Sequence, residues 1–355
     1  MSLRLKPIRE QVIVITGATS GIGLVTARHA AGRCGRLILT GRNEAALREL
    51  SQEIQGNESH GGVAAFMPAD VADEAALRRV ADEAVRRYGR IDTWINCAGV
   101  STYGRVTDVP IADQRRVFDT NFWGVVHGSR IAVEHLRSHG GALINIGSVL
   151  SDRALPLQGP YSASKHAVKA YTDALRMEIE HDGLPISVTL VKPCSVDTPF
   201  ADHARNYLRN EPQNPPPIYA PEVVAETILS CAERPVRDVF VGGEGKLLAM
   251  MGNLLPRLTD KIMERLFFTA QQTMRPARRT RPDGLYSAHA VAGLRERAYG
   301  TARVSASSLY TEASLRPFVT GALIAAAGVA AAALFGSTRS FSHRTAPIPH
   351  TFERP

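Results

Sequence analysis

Short runs of Val, Ile and Leu recur along the first two thirds of the chain, at residues 12–15, 37–40, 63–66, 91–96, 143–147, 186–191 and 236–241. Between them lie longer stretches rich in Ala, Leu, Arg and Glu with helical spacing of the apolar positions. Runs that are apolar throughout, rather than alternating, fit strands buried on both faces. Their alternation with helices predicts repeated strand–helix–strand units, hence an α/β fold: one doubly wound domain with a parallel sheet of about seven strands. This domain is expected to occupy 1–245.

Beyond it the texture changes. Pro-rich sequence at 212–221 reads as a loop before a helix. Residues 246–274 carry Leu247, Met250, Met251, Leu254, Leu255, Leu258, Ile262 and Leu266 at helical spacing, an amphipathic extension with a break at Pro256. An Arg-rich linker is expected at 275–317 and a polar tail at 336–355. Between them, 318–335 is Ala-rich, free of charge and bounded by Arg316 and Arg339. That run is a candidate membrane-anchoring helix near the lower length limit of about 17 residues, and the amphipathic segment could lie on the same surface.

Charge sharpens this picture. The formal net charge is +8, and seven Arg against two acids (Asp283, Glu296) fall between Arg275 and Arg303, outside the expected domain. Much of the excess therefore sits in a C-terminal stretch that could flank a membrane as easily as touch a phosphate backbone, and nucleic acid is not an expected partner. Cys34, Cys97, Cys194 and Cys231 are scattered without a C-x-x-C pair, and the His residues include no H-E-x-x-H. A disulfide framework and a metal site are both disfavoured. Residues 1–11 show no apolar leader, so the catalytic domain is expected to be cytoplasmic.

Candidate chemistry begins directly after the first run, with Thr16-Gly17-Ala18-Thr19-Ser20-Gly21-Ile22-Gly23 leading into a helical pattern. A tight strand-to-helix turn needs glycine where its backbone must approach a pyrophosphate, and the helix N-terminus favours the phosphate charge. Dinucleotide binding on a Rossmann-type domain is the expectation. The second run ends in Leu39-Thr40-Gly41-Arg42-Asn43, with an arginine and no carboxylate to grip a ribose 2′-hydroxyl. NADP(H) is thus favoured over NAD(H), with Arg42 on the 2′-phosphate.

Tyr161-Ser162-Ala163-Ser164-Lys165 opens a long helical pattern reaching about residue 180, so Tyr161 and Lys165 share a face. A phenol of pKa about 10 is a poor base, and a neighbouring ammonium is expected to lower it. Tyr161 could then exchange a proton with an oxygen while hydride moves at carbon, with Ser148 bonding that oxygen from the end of a strand.

Together these motifs resemble the short-chain dehydrogenase/reductase family. The matching residues are the Thr16–Gly23 turn, Asp70-Val71, Asn96-Cys97-Ala98-Gly99, Asn121, Ser148, Tyr161-x-x-x-Lys165 and Pro193-Cys194-Ser195-Val196-Asp197-Thr198, spanning over half of the chain. The resemblance implies that Asp70 caps the adenine ring, that Asn96 steadies the central strands and that Asn121 holds a water linking Lys165 to solvent. It also implies that Lys165 bonds the nicotinamide ribose, that Val196 and Thr198 meet the carboxamide, and that the chain forms a homo-oligomer. Cys97 and Cys194 depart from the family pattern, which usually has Asn or Ala and Gly there.

Two other classes compete. The surroundings of Ser148 are not the G-x-S-x-G elbow of a serine hydrolase. A non-catalytic NADP(H)-binding regulatory or scaffold protein on the same fold is the alternative, against which an intact Ser/Tyr/Lys set weighs. Val149, Leu150, Leu155 and Leu157, between Ser148 and Tyr161, suggest an apolar carbonyl or secondary alcohol as the small-molecule substrate.

Overall fold

The computed structural model describes residues 3–57, 61–278, 282–288, 294, 296–298, 304–316 and 320–321. Its centre is a parallel sheet of β1 (Val12–Thr16), β2 (Arg36–Gly41), β3 (Val63–Pro68), β4 (Thr93–Asn96), β5 (Gly141–Ile146), β6 (Ile186–Pro193) and β7 (Asp238–Val241). The strand order is β7-β6-β5-β4-β1-β2-β3. Residues of β1 are buried throughout, as continuous apolar runs require of strands covered on both faces.

Helices α1 (Gly21–Gly32), α2 (Glu44–Gly56), α3 (Glu74–Tyr88), α4 (Ile111–Phe118), α5 (Gly124–Leu136), α6 (Gly159–His181) and α7 (Pro221–Glu233) link these strands. Polar residues start two of them: Asn43 accepts from the Ala46 N–H and Asp73 from the Ala76 N–H, caps worth about 1 kcal/mol each. Leu77, Val80, Ala81 and Ala84 form the apolar stripe of α3 and pack with Ile38, Trp94 and Ile131.

The topology decides where a ligand can sit. From β1 the chain adds β2 and β3 on one side, then crosses to β4 on the other. β1 and β4 are paired at Ile15 and Ile95, and from them the chain runs on to strands on opposite sides of the sheet. Such a switch point opens a crevice at the carboxyl ends of the strands.

The chain divides into two compact units, Met1–Thr311 and Glu312–Pro355. The first therefore runs past residue 245, where the catalytic domain was expected to end. Helices α8 (Gly243–Leu254) and α9 (Pro256–Ala270) follow β7 at once, with the break at Pro256. They bring Leu248, Met263 and Phe267 onto Val149, Leu150 and Leu155. Met263 is buried there, whereas Leu247, Met250, Leu254, Leu255, Leu258 and Leu266 stay exposed, so the extension packs on the core through one side only. Part of the expected linker also folds back, since Leu285 is buried against Val100 and Val117.

Among the described residues no helix is long and apolar enough to cross a membrane. The run 318–335, on which the anchor expectation rests, lies outside the described residues except for Thr320 and Gly321.

Candidate active site

A cavity of about 440 Å³ opens at the switch point, from the glycine turn at one end to Tyr161, Phe200, Met251 and Phe267 at the other. Gly17, Ser20, Gly21, Ile22 and Gly23 line it directly, and Thr19 lines an adjoining recess. Ser20 precedes α1 without capping it through its side chain, leaving the first N–H groups of the helix to a ligand.

The glycines are demanded by the protein itself as well as by any phosphate. A Cβ on Gly23 would lie 2.2 Å from the Gly17 carbonyl oxygen, and Gly17, at φ +69°, would put one 2.8 Å from the Ala98 Cα. The turn is thus wedged against the Asn96–Gly99 loop. Thr16, given no role in the sequence reading, ties the two together: its hydroxyl accepts from the N–H groups of Cys97 (2.9 Å) and Ala98 (3.1 Å). It donates in turn to the Ile95 carbonyl. Its place at a strand end before glycine was the available signal.

Ser148 follows β5 and starts a single helical turn, its hydroxyl accepting from the Leu150 N–H at 3.1 Å. Tyr161 and Lys165 stand one turn apart on α6, and the Lys165 Nζ lies 5.7 Å from the centre of the Tyr161 ring. Ser148, Tyr161 and Lys165 are all buried and all face the cavity. The three candidates therefore converge on one wall of the cavity.

The electrostatics differ from the expectation that Lys165 lowers the Tyr161 pKa. Burial raises the phenol well above its ordinary value, and the Ser148 hydrogen bond only partly opposes this. Burial also pulls the Lys165 ammonium down to about 8, with Cys97 opposing. The reason is geometric: Lys165 points its Nζ at the Ile146 carbonyl, 2.7 Å away, rather than at the phenol oxygen. The site as it stands holds Tyr161 protonated.

Asn121 sits in a π-helical turn between α4 and α5, a geometry that often marks functional positions. Its amide is committed on both sides, accepting from the Val100 N–H and donating to the Val100 carbonyl and the Ser164 hydroxyl. The side chain therefore fixes the Gly99–Val100 loop to α6. Asn96 bridges β4 and β5 by donating to Asn145 at 2.8 Å, and Asn145 reaches Thr172 of α6 at 3.0 Å. Asn145 was also missed, since a polar residue inside an apolar run reads as noise until its partners are seen.

At the other end, Asp70, Val71, Ala98, Gly99 and Arg42 line the recess beside the main cavity. Asp70 already accepts from the Ala72 N–H and pairs with Arg116. Arg42 donates to the carbonyls of Gly284 and Leu285, more than two hundred residues away in sequence. Pro193 ends β6, the Val196 carbonyl accepts from Asn214 at 2.9 Å, and Thr198 packs over Gly21. Cys194 fits where glycine is usual because Gly242 and Gly245 face its sulfur. Burial pushes the Cys194 and Cys97 thiols up to about 12, so neither is a ready nucleophile.

The end of the cavity around Tyr161 is apolar. Val149, Leu150, Leu155 and Tyr161 pack with Cys194, Phe200, Leu248, Met263 and Phe267, and Phe200 meets the Tyr161 ring edge-on at 5.2 Å. Leu247 and Met251 of α8 continue this lining to the mouth. Among the described residues no group of His, Cys, Asp or Glu could hold a metal ion.

Comparison with known proteins agrees with this geometry. The family model described as short chain dehydrogenase matches residues 11–208. The chain is 44% identical to the uncharacterized oxidoreductase YxnA of Bacillus subtilis over 91% of its own length and 90% of that protein's. It is 33% identical to dehydrogenase/reductase SDR family member 7B of Danio rerio, over 74% of this chain and 87% of that one. A short chain dehydrogenase/reductase from Burkholderia phymatum, solved in complex with NAD, superposes with a TM-score of 0.63 at 26% identity, covering 70% of this chain and 94% of its own. With the family match covering more than half of the sequence and the sheet, turn and cleft in the arrangement just described, this chain belongs to the short-chain dehydrogenase/reductase family of oxidoreductases.

Proposed function

We propose that the protein moves a hydride between NADP(H) and an apolar ketone or secondary alcohol, with Tyr161 as the general acid and base. The observation that carries this reading is the convergence of Ser148, Tyr161 and Lys165 on the apolar end of a cavity whose other end is the glycine turn. The cleft suits a dinucleotide on its own chemistry. The α1 N-terminus lacks a side-chain cap, and Thr120 Oγ1, buried beside Asp70 and Ala98, has no hydrogen-bond partner among the described residues. When bound, the nicotinamide would supply the hydride.

The residues would do the rest. Tyr161 donates its phenolic proton to the oxygen of the carbonyl being reduced, and Ser148 steadies that oxygen as charge develops on it. Lys165, with a proton held near neutral pH, is placed to restore one through the polar groups around it. Phe200 and Phe267 exclude water from the substrate side. Preference for the 2′-phosphate is supported by Arg42, whose guanidinium lines the recess with Asn43 and no acid on that strand end.

The test is NADPH and NADH oxidation with a panel of steroid, retinoid, aromatic and long-chain acyl carbonyls. NADPH-dependent reduction of apolar members is expected. Binding of NADPH without turnover of any member, in either direction, would favour the non-catalytic alternative.

A further inference from the structure

Residues 283–286 fold across the end of the cleft that carries Arg42 and Asp70. Leu285 is fully buried against Val100 and Val117; two arginines pin the main chain around it and a third holds the side chains on either side. Arg42 donates to the carbonyls of Gly284 and, at 3.3 Å, Leu285. Arg116, the partner of Asp70, donates to the same Leu285 carbonyl at 3.0 Å. Arg205 holds the Asp283 carboxylate at 2.8 Å and lies 5.1 Å from the centre of the Tyr286 ring. The Tyr286 hydroxyl donates to the buried Asp113 at 2.8 Å, and the Gly284 N–H donates to the His203 carbonyl at 2.7 Å.

The recess beneath this strap stays open with the strap in place. Gly284 and Ala288 form one wall of it, and Arg42, Asp70 and Val71 line it too. Thr120 lines the same recess, 5% exposed, its hydroxyl without a partner among the described residues. The Thr120 hydroxyl thus leaves hydrogen-bonding capacity in the wall of the recess.

We propose that the 283–286 strap is a cofactor-selecting element: it walls the adenosine end of the cleft and holds the Arg42 guanidinium in the orientation that receives a 2′-phosphate. The proposal rests on the reading of this cleft as an NADP(H) site. An arginine side chain loses much rotamer freedom when it binds a phosphate, and a guanidinium already fixed by two carbonyls has lost it in advance. The strap therefore acts through Arg42 on phosphate recognition, and through the wall on either dinucleotide. Leu285 and Tyr286 are positioning residues here, remote from the reacting atoms.

The full chain carrying Leu285→Ala, with Leu285→Met as the conservative control and Tyr286→Phe as a milder change, is titrated with NADPH and with NADH. Leu285→Ala should weaken NADPH about tenfold and NADH about threefold or less, with kcat at saturating NADPH unchanged and Leu285→Met close to wild type. Amide exchange of the strap peptide should slow when NADPH binds. Equal weakening of both cofactors, tighter NADPH binding, or strap exchange that is unchanged or faster would overturn the proposal. Should Leu285→Ala fail to fold, Tyr286→Phe and the exchange measurement on wild type decide it alone. Failure of wild type to bind NADPH, shown by an unprotected Thr16–Gly23 turn in the same exchange experiment, would instead remove the cofactor reading on which the proposal stands, and the proposal with it.

Discussion

Replacing Lys165 with methionine removes a buried charge while keeping a long side chain, and so separates what that charge costs the fold from what it does. Burial pulls the ammonium from 10.5 down to about 8. A native pKa below the unfolded one means that the unfolded chain binds the proton more tightly. The charge therefore opposes folding in full below about pH 8, and wild-type stability rises as that opposition fades between about 8 and 10.5. At about 1.4 kcal/mol per pKa unit the opposition at pH 7 is about 3 kcal/mol, of which about 2 is gone by pH 9.5. Methionine cannot donate to the Ile146 carbonyl, which accepts from Nζ at 2.7 Å, and leaving that oxygen unsatisfied costs about 1–3 kcal/mol at every pH. Urea unfolding of both proteins at the two pH values reads the gap between them. From pH 7 to pH 9.5 it should shift against Lys165→Met by about 2 kcal/mol, and turnover should be lost at both. A gap that does not move with pH would refute the reasoning.

Arg42→Ala should weaken NADPH by about tenfold or more and NADH far less, since charge-assisted bonds of this kind contribute about 1.5–3 kcal/mol; equilibrium fluorescence titration measures both, and equal losses would count against the 2′-phosphate assignment. Thr16→Val removes the acceptor shared by the Cys97 and Ala98 N–H groups and should lower unfolding free energy by about 2–4 kcal/mol in urea, whereas a loss under about 0.5 would show that water replaces the hydroxyl without cost.

Much of this fold is legible from sequence because strands buried on both faces leave continuous apolar runs. The run at 37–40 lies within Arg36–Gly41 and that at 186–191 within Ile186–Pro193. The run at 236–241 starts earlier than β7, whose ladder with β6 begins only at Asp238. Convergence of Ser148, Tyr161 and Lys165 is legible too, because each stands at a fixed place relative to a strand end or a helix turn. The Tyr161 pKa is not. Sequence shows a lysine four residues on, but not the dryness of the pocket or the Ile146 carbonyl that accepts the Lys165 hydrogen bond. Nor does it show the strap. Leu285 is a single apolar residue in an Arg-rich stretch, without periodicity, and the groups that meet Arg42 are main-chain carbonyls carried by every residue type.

The central claim is that Tyr161 is the proton donor, and Tyr161→Phe tests it most directly. Phenylalanine keeps the ring that Phe200 packs against and removes only the hydroxyl. With an apolar carbonyl that wild type reduces, kcat should fall by about 10²–10⁴-fold, while the NADPH dissociation constant changes by less than about threefold. A kcat within about threefold of wild type would take Tyr161 out of the proton transfer and the account with it.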